Sequence, residues 1–319
     1  MIDSFSRTIN YLRVSITDRC NLRCKYCIPG NFTHYPHNEI LQYEEFLRLC
    51  TIMVQLGVET FRVTGGEPLV RKGCVKFIEQ LKAVPGVKKV TITTNGVLLS
   101  HYICGLVNAG LDGLNISLDS ICKKNYKNIT GADTFDDVWQ ALQKVVAYGI
   151  PTKINTVIIK GVNDHEILPI AALAEKLPIS VRFIELMPTV ANTKMQGVSH
   201  ADVLQAIVSH YDDLTPDDST YGAGPAGYYS SKNLIGKVGF ISPLNHNFCD
   251  SCNRLRISST GFLRLCLHHN HGVDLKQLLR GGASDNEIKR AILKSTLEKP
   301  QQHFLESETT LQDMSKIGG

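Results

Sequence analysis

Surplus charge of either sign is missing from this chain: 34 Lys and Arg face 30 Asp and Glu, a net of +4 over 319 residues. So slight an excess does not announce a nucleic-acid partner, and any anion site has to be a local cluster of cations. Long apolar runs are missing too. Nowhere does the sequence supply the roughly 18 apolar residues that a membrane span requires, and residues 1–10 lack the apolar core of a secretion signal. A cytoplasmic location, away from membranes, is expected. Ten cysteines are too few for a disulfide scaffold of this length, and in a reducing compartment clustered thiols bind metal more often than they pair. Disorder is not indicated either, since 43% of the residues are hydrophobic and the length suffices for one large α/β domain with a smaller appendage.

Six of the ten cysteines form two triads, Cys20, Cys24 and Cys27 near the start and Cys249, Cys252 and Cys266 near the end. The others, Cys50, Cys74, Cys104 and Cys122, stand singly and are assigned no chemistry. Cys50 lies on the helical stripe Phe46, Leu47, Cys50, Met53, Val54, where a thiol acts as a small core hydrophobe.

Strands are predicted over 11–17, 60–64, 90–94, 114–118, 153–159 and 181–187. Helices alternate with them, such as the one carrying Phe135, Val138, Trp139, Leu142, Val145 and Val146 at helical spacing. This alternation implies a parallel sheet, which right-handed crossovers curl into a full or partial barrel. The predicted fold class is α/β: a partial (β/α) TIM-type barrel of about six strand–helix units with a smaller C-terminal domain. A Gly/Pro/Asp-rich stretch, 212–227, breaks the pattern and divides residues 1–215 from 228–319. Short strands around 236–241, 254–258 and 262–266, helices within 275–297 and a polar tail are predicted beyond it.

The strands carry a second signal. In an ordinary barrel bulky aliphatics fill the lumen and both strand faces read apolar. Here Leu12, Val14 and Ile16 alternate with Arg13, Ser15 and Thr17, and Phe61 and Val63 with Arg62 and Thr64. Val90 and Ile92 are set against Thr91 and Thr93, Ile116 and Leu118 against Asn115, Ser117 and Asp119, and Ile154 and Ile158 against Lys153 and Asn155. Helices must cover the apolar face, so the polar face lines the lumen. Charge placed there is costly unless paired, and Arg13, Arg62 and Lys153 describe a cationic cavity for an anionic ligand. The competing arrangement is an antiparallel sheet with one solvated face, which the intervening helices disfavour.

Cys20-Asn-Leu-Arg-Cys24-Lys-Tyr-Cys27 follows the first strand, with three and then two intervening residues. Three thiolates so close in one loop can hold three irons of a 4Fe-4S cube and leave the fourth open, as a catalytic metal centre requires. Zinc completed by His34 or His37 is the alternative occupant. The second strand ends in Thr64-Gly65-Gly66-Glu67-Pro68, a turn that permits close backbone approach. Cys249-Asp-Ser-Cys252-Asn-Arg254-Leu-Arg256 leads, after thirteen residues beyond Cys252, to Cys266. From spacing alone, a structural zinc completed by His268, His269 or His271 competes there with a second cluster.

The first cysteine spacing, with Tyr26 before its last Cys, together with Gly65-Gly66-Glu67-Pro68, resembles the radical S-adenosylmethionine superfamily. Within it the chain resembles the GTP 3′,8-cyclase (MoaA) family of molybdenum cofactor synthesis, through Asp18-Arg19-Cys20-Asn21, Arg62-Val-Thr-Gly-Gly-Glu-Pro-Leu, Thr93-Thr-Asn-Gly, Asn-Ile-Ser117-Leu-Asp-Ser, Glu-Leu-Met187-Pro, Phe248-Cys-x2-Cys-Asn-Arg-x-Arg and the terminal Gly318-Gly319. One departure touches a turn: Ile-Ser-Ser-Thr follows Arg256 where the family favours Leu-Thr-Ala-Asp.

The resemblance implies two 4Fe-4S clusters, the first on Cys20, Cys24 and Cys27 and the second on Cys249, Cys252 and Cys266. It implies S-adenosylmethionine held at Tyr26, Gly66, Ser117 and Met187, with Arg182 nearby. GTP contacts are implied at Arg13, Arg62, Thr93, Lys153, Arg254, Leu255 and Arg256, and catalytic roles for Arg13, Arg254, Arg256, Gly318 and Gly319. The implied reaction converts GTP to 3′,8-cyclo-7,8-dihydroguanosine 5′-triphosphate. Its implied partners are a one-electron reductant such as flavodoxin or ferredoxin and, for the product, cyclic pyranopterin monophosphate synthase. Neither nucleic acid nor membrane is expected as a partner, and a homodimer is compatible with the chain. Two other classes share clustered cysteines. A peptide-modifying radical enzyme usually carries more C-terminal cysteines, and an iron–sulfur redox sensor leaves the polar lumen unexplained.

Overall fold

The computed structural model describes residues 1–219, 222, 224–245, 248–302 and 314–317. All six predicted strands of the first part form: β1 (Tyr11–Ser15), β2 (Thr60–Thr64), β3 (Lys89–Thr94), β4 (Gly113–Ser117), β5 (Thr152–Val157) and β6 (Ser180–Ile184). Each pairs in parallel with the next across a helical connection, so the antiparallel alternative is set aside. β1 and β6 stop before Thr17 and Met187, where the chain turns into the loops that carry Cys20 and Met187.

Then come β7 (Thr215–Asp217), β8 (Gly227–Ser230), β9 (Lys237–Ile241), β10 (Arg254–Ile257), β11 (Phe262–Arg264) and β12 (Gly272–Asp274). β9 pairs in parallel with β6, and β10 in parallel with β1. The C-terminal segment thus extends the sheet at both ends, giving the order β12-β11-β10-β1-β2-β3-β4-β5-β6-β9-β8-β7. Nothing in the Gly/Pro/Asp-rich stretch foreshadows β7. It is an edge strand, where Pro216 costs no ladder hydrogen bond.

The core lies between the sheet and its helices. Leu12, Val14, Phe61, Val63, Val90, Ile92, Ile116 and Ile154 are fully buried, each contributing about 1.5–3 kcal/mol of apolar burial. The helix Phe135–Ala147 buries Phe135, Val138, Leu142 and Val145 against it, the face that its spacing requires, and Cys50 is a core residue as expected. The opposite faces of β10, β1 to β6 and β9 all line one cavity. A flat sheet cannot bring eight strands round one space, so the parallel strands are curled into a partial barrel. No helix among the described residues is long and apolar enough to cross a membrane.

Candidate active site

One wall of the cavity is cationic. In-register pairing places Arg256, Arg13 and Arg62 side by side on β10, β1 and β2, and Arg254 and Arg182 line the same space. Burial, then repulsion from Arg256 and Arg62, holds the Arg13 guanidinium well below its ordinary range. Burial and Arg254 bring Arg256 down to about 10, and burial does the same for Arg182. Two carboxylates line the cavity, but both are engaged elsewhere. Asp119 accepts from Tyr26 Oη at 2.7 Å and Val157 N at 2.9 Å, and Glu185 from Leu244 N at 2.9 Å and from Asn245. Arg182 donates to Asn115 and Asn155 Oδ1, both at 2.5 Å. The Nε atoms of Arg62, Arg182 and Arg254 and the Thr93 hydroxyl are buried without a hydrogen-bond partner. Buried cations that repel one another and retain unused donors suit a polyanion.

Lys153 shares this sheet face, opposite Asn115, but stands aside from the arginines, with Nζ 5.5 Å from the Tyr228 ring centroid. Burial, with Arg182 and Arg62 adding repulsion, brings it down to about 7. Leu255 differs from its neighbours. Alternation along β10 sends its side chain into the hydrophobic core, leaving its main chain on the sheet between the two arginines.

The first triad lines the same cavity with Tyr26, Gly66, Ser117 and Met187. Its loop is packed backbone to backbone on the Gly65-Gly66 turn. A Cβ on Gly66 would lie 2.5 Å from the Arg19 carbonyl oxygen, and one on Gly65 2.6 Å from that of Thr17. Gly66 N donates to Thr17 O and Glu67 N to Arg19 O, both at 2.8 Å. Buried Glu67 accepts from Leu69 N, Thr94 Oγ1 and Asn95 N, which ties this turn to the end of β3. Burial raises Glu67 to about 7 and Asp119 to about 6.

Three polar residues complete the arrangement: Asn95 and Asp119, which lie within the sequence motifs but gain no role from them, and Asn192, which no motif includes. Asn95 Nδ2 lies 3.7 Å from Cys20 Sγ and 2.8 Å from Asn21 Oδ1. Asn192 Nδ2 donates to the Met187 carbonyl at 2.8 Å and reaches the Tyr26 carbonyl at 3.4 Å, so one side chain links two of the expected S-adenosylmethionine contacts. Asp119, already met as the partner of Tyr26, is the third.

The residues fit iron–sulfur chemistry. None of the ten cysteines forms a disulfide, and both triads line the one cavity. Burial raises Cys20 and Cys24, with Asp119 and the neighbouring thiols adding to it at Cys24, so an electron-poor metal centre would relieve them. At Cys252 burial pushes the thiol up, but Lys299, Arg254 and Arg7 outweigh it and the thiol stands below its ordinary value. Of the histidines considered as zinc ligands, His34 stands 3.4 Å from Asp18 and His268 lines the cavity. Among the described residues no three Cys, His, Asp or Glu side chains close around a single-ion position, the arrangement a structural zinc needs. In the tail, Met314 lines the cavity and Lys316 Nζ lies 5.0 Å from the Phe32 ring centroid. Gly318 and Gly319 lie outside the described residues.

A curled parallel sheet with a three-cysteine loop after its first strand and a Gly-Gly turn after its second defines a radical S-adenosylmethionine enzyme, and residues 14–174 match the sequence model of the Radical SAM superfamily. That membership brings S-adenosylmethionine and an iron–sulfur cluster as cofactors. Residues 179–305 match the model described as Molybdenum Cofactor Synthesis C. The chain is 42% identical over 325 residues to the GTP 3′,8-cyclase of Desulforamulus reducens and 43% over 324 residues to that of Thermodesulfovibrio yellowstonii, with both chains of each pair covered in full. It belongs to the GTP 3′,8-cyclase family. Among solved structures, Streptococcus suis SuiB bound to S-adenosylmethionine superposes with a TM-score of 0.63 at 15% identity, covering 97% of this chain and 77% of that one. Native anSMEcpe with bound AdoMet and a peptide gives 0.57 at 17% identity, covering 91% and 84%. At such identities the likeness is one of fold.

Proposed function

We propose that this chain cyclises GTP to 3′,8-cyclo-7,8-dihydroguanosine 5′-triphosphate, opening molybdenum cofactor synthesis, in the cavity lined by both thiol triads. The observation that carries the reading is the wall of five arginines, Arg13, Arg62, Arg182, Arg254 and Arg256, facing the same space as the two triads. A triphosphate is an anion of matching charge density, and bidentate guanidinium contacts would fix it.

In this reading residues 1–215 form the barrel with the first cluster on Cys20, Cys24 and Cys27, and residues 228–319 add a second cluster on Cys249, Cys252 and Cys266. Tyr26, Gly66, Ser117 and Met187 would hold S-adenosylmethionine. When bound, it and the first cluster supply a 5′-deoxyadenosyl radical that removes hydrogen from C3′ of the GTP ribose. The chain's own residues do the rest by position. Arg13, Arg62, Thr93 and Lys153 hold the triphosphate side, and Arg254 and Arg256, with the main chain at Leu255, hold the nucleotide against the second triad. Fixing both ends of GTP keeps C3′ and C8 within attacking distance, the entropic advantage of an oriented pair. The part-buried Tyr26–Asp119 hydrogen bond holds the tyrosine hydroxyl in place beside the first triad. Gly318 and Gly319, which lie outside the described residues, are assigned a part in cyclisation by the family resemblance alone. A reductant such as flavodoxin or ferredoxin supplies two electrons singly, one for cleavage of the sulfonium and one that, with a proton, reduces the cyclised nucleotide radical, and cyclic pyranopterin monophosphate synthase takes the product.

The test is an anaerobic assay of reconstituted protein with S-adenosylmethionine, dithionite and GTP. Formation of the cyclised nucleotide together with 5′-deoxyadenosine supports the reading. Formation of 5′-deoxyadenosine with GTP left unchanged rejects GTP as the substrate.

A further inference from the structure

Residues 3–7 and 299–301 meet at the second triad. Arg7 donates to the carbonyls of Cys249 at 2.9 Å and of Pro300 and Gln301 at 2.7 Å, while Asp3 holds its Nε at 2.6 Å. Next to Pro300 stands Lys299, 3% exposed and lining the cavity. Its ammonium donates to the carbonyl of Arg254 at 3.1 Å and to that of Leu265. Arg254 follows Cys252 by two residues, and Leu265 immediately precedes Cys266. One side chain therefore ties the strand leaving Cys252 to the residue that presents the third thiol.

The two cations are balanced differently. Arg7 is matched by a buried carboxylate, whereas Lys299 has no carboxylate partner among the described residues. A buried ammonium that meets only carbonyl dipoles is costly, unless an anion stands opposite it. The anions available are the thiolates of the second triad, which line the same cavity as Lys299.

We propose that Lys299 is a positioning residue and the counter-cation of the second triad: it sets Cys266 against Cys249 and Cys252, and its charge offsets that of the cluster they hold. The inference rests on the reading of that triad as an iron–sulfur site. A positive charge beside a cluster favours its more negative, reduced state, so removing the charge moves the midpoint potential down.

The experiment compares full-length wild type, Cys252→Ala, Lys299→Met and Lys299→Arg after anaerobic reconstitution, counting iron and sulfide and following each cluster by electron paramagnetic resonance during redox titration. Two clusters in the wild type and one in Cys252→Ala secure the underlying reading, and a single cluster in both overturns reading and inference together. Lys299→Met is expected to leave the first cluster's midpoint in place, to shift the second to more negative potential and to release its iron faster to a chelator, with Lys299→Arg restoring the potential. An unmoved second midpoint in Lys299→Met overturns the inference alone. Should Lys299→Met not retain a second cluster, Lys299→Gln, which keeps a donor without the charge, is compared with Lys299→Arg, and equal potentials in those two would reject the proposal.

Discussion

The two thiol triads line one cavity but sit in opposite electrostatic surroundings. Around the first, burial and the carboxylates Glu67 and Asp119 all oppose thiolate charge at Cys20 or Cys24. Around the second, Lys299, Arg254 and Arg7 favour it at Cys252. On the proposed reading the difference suits the halves to different work. A centre in acidic, buried surroundings resists taking up an electron and, once reduced, is a strong donor, as cleavage of a sulfonium demands. A centre among cations is suited to hold an anionic nucleotide instead. The local folds differ as well: the first triad occupies a single loop, while the second spans a turn before β10 and the end of β11, held together by side chains from both chain ends.

The largest effect should come from exchanging one cysteine in each half. Cys24→Ala is expected to abolish S-adenosylmethionine cleavage, measured as 5′-deoxyadenosine, whereas Cys252→Ala should retain some cleavage and lose cyclised product. Full cleavage in both variants would erase the division of labour. A smaller effect is expected from Arg62→Ala, because one charged hydrogen bond is worth about 1.5–3 kcal/mol, or roughly one to two decades of affinity. Calorimetry should show that loss for GTP and much less of it for guanosine. An equal loss for both ligands would make the cation part of the fold and not of the phosphate site.

The smallest effect is a pH dependence on the cationic wall. Lys153 stands at about 7 in the free protein, and a bound phosphate favours its charged form. Binding above that pH therefore takes up a proton, and GTP affinity should fall as pH rises, by at most about tenfold per unit. Lys153→Arg, charged throughout, should flatten this arm. A slope unchanged in that variant would assign it to another group.

Much of the barrel was legible in the sequence because alternation along β1 to β5 separates a helix-covered face from a lumen face, and Arg13 and Arg62 fall on the latter. Arg182 carries the same signature between Val181 and Phe183, and its bonds to Asn115 and Asn155 show a lumen residue holding the wall together. What local pattern could not reveal is the pairing of β10 with β1, which joins residues some 240 positions apart. That pairing sets Arg256 beside Arg13. Arg7, Asn192 and Lys299 were illegible for the same reason, since each acts through a main-chain contact distant in sequence or held in a loop without periodicity, whereas Asn95 lies in a sequence motif and only its contact with Cys20 was hidden. Leu255 is a contrary case, where alternation along the strand points its side chain away from the arginines that flank it.

The most direct test of the central claim follows one hydrogen atom. GTP deuterated at C3′ is supplied to the reconstituted protein with S-adenosylmethionine and reductant, and the 5′-deoxyadenosine is examined by mass spectrometry. The account requires deuterium in 5′-deoxyadenosine alongside the 3′,8-cyclised nucleotide. Unlabelled 5′-deoxyadenosine, with GTP recovered still carrying its deuterium and no cyclised nucleotide formed, would contradict it.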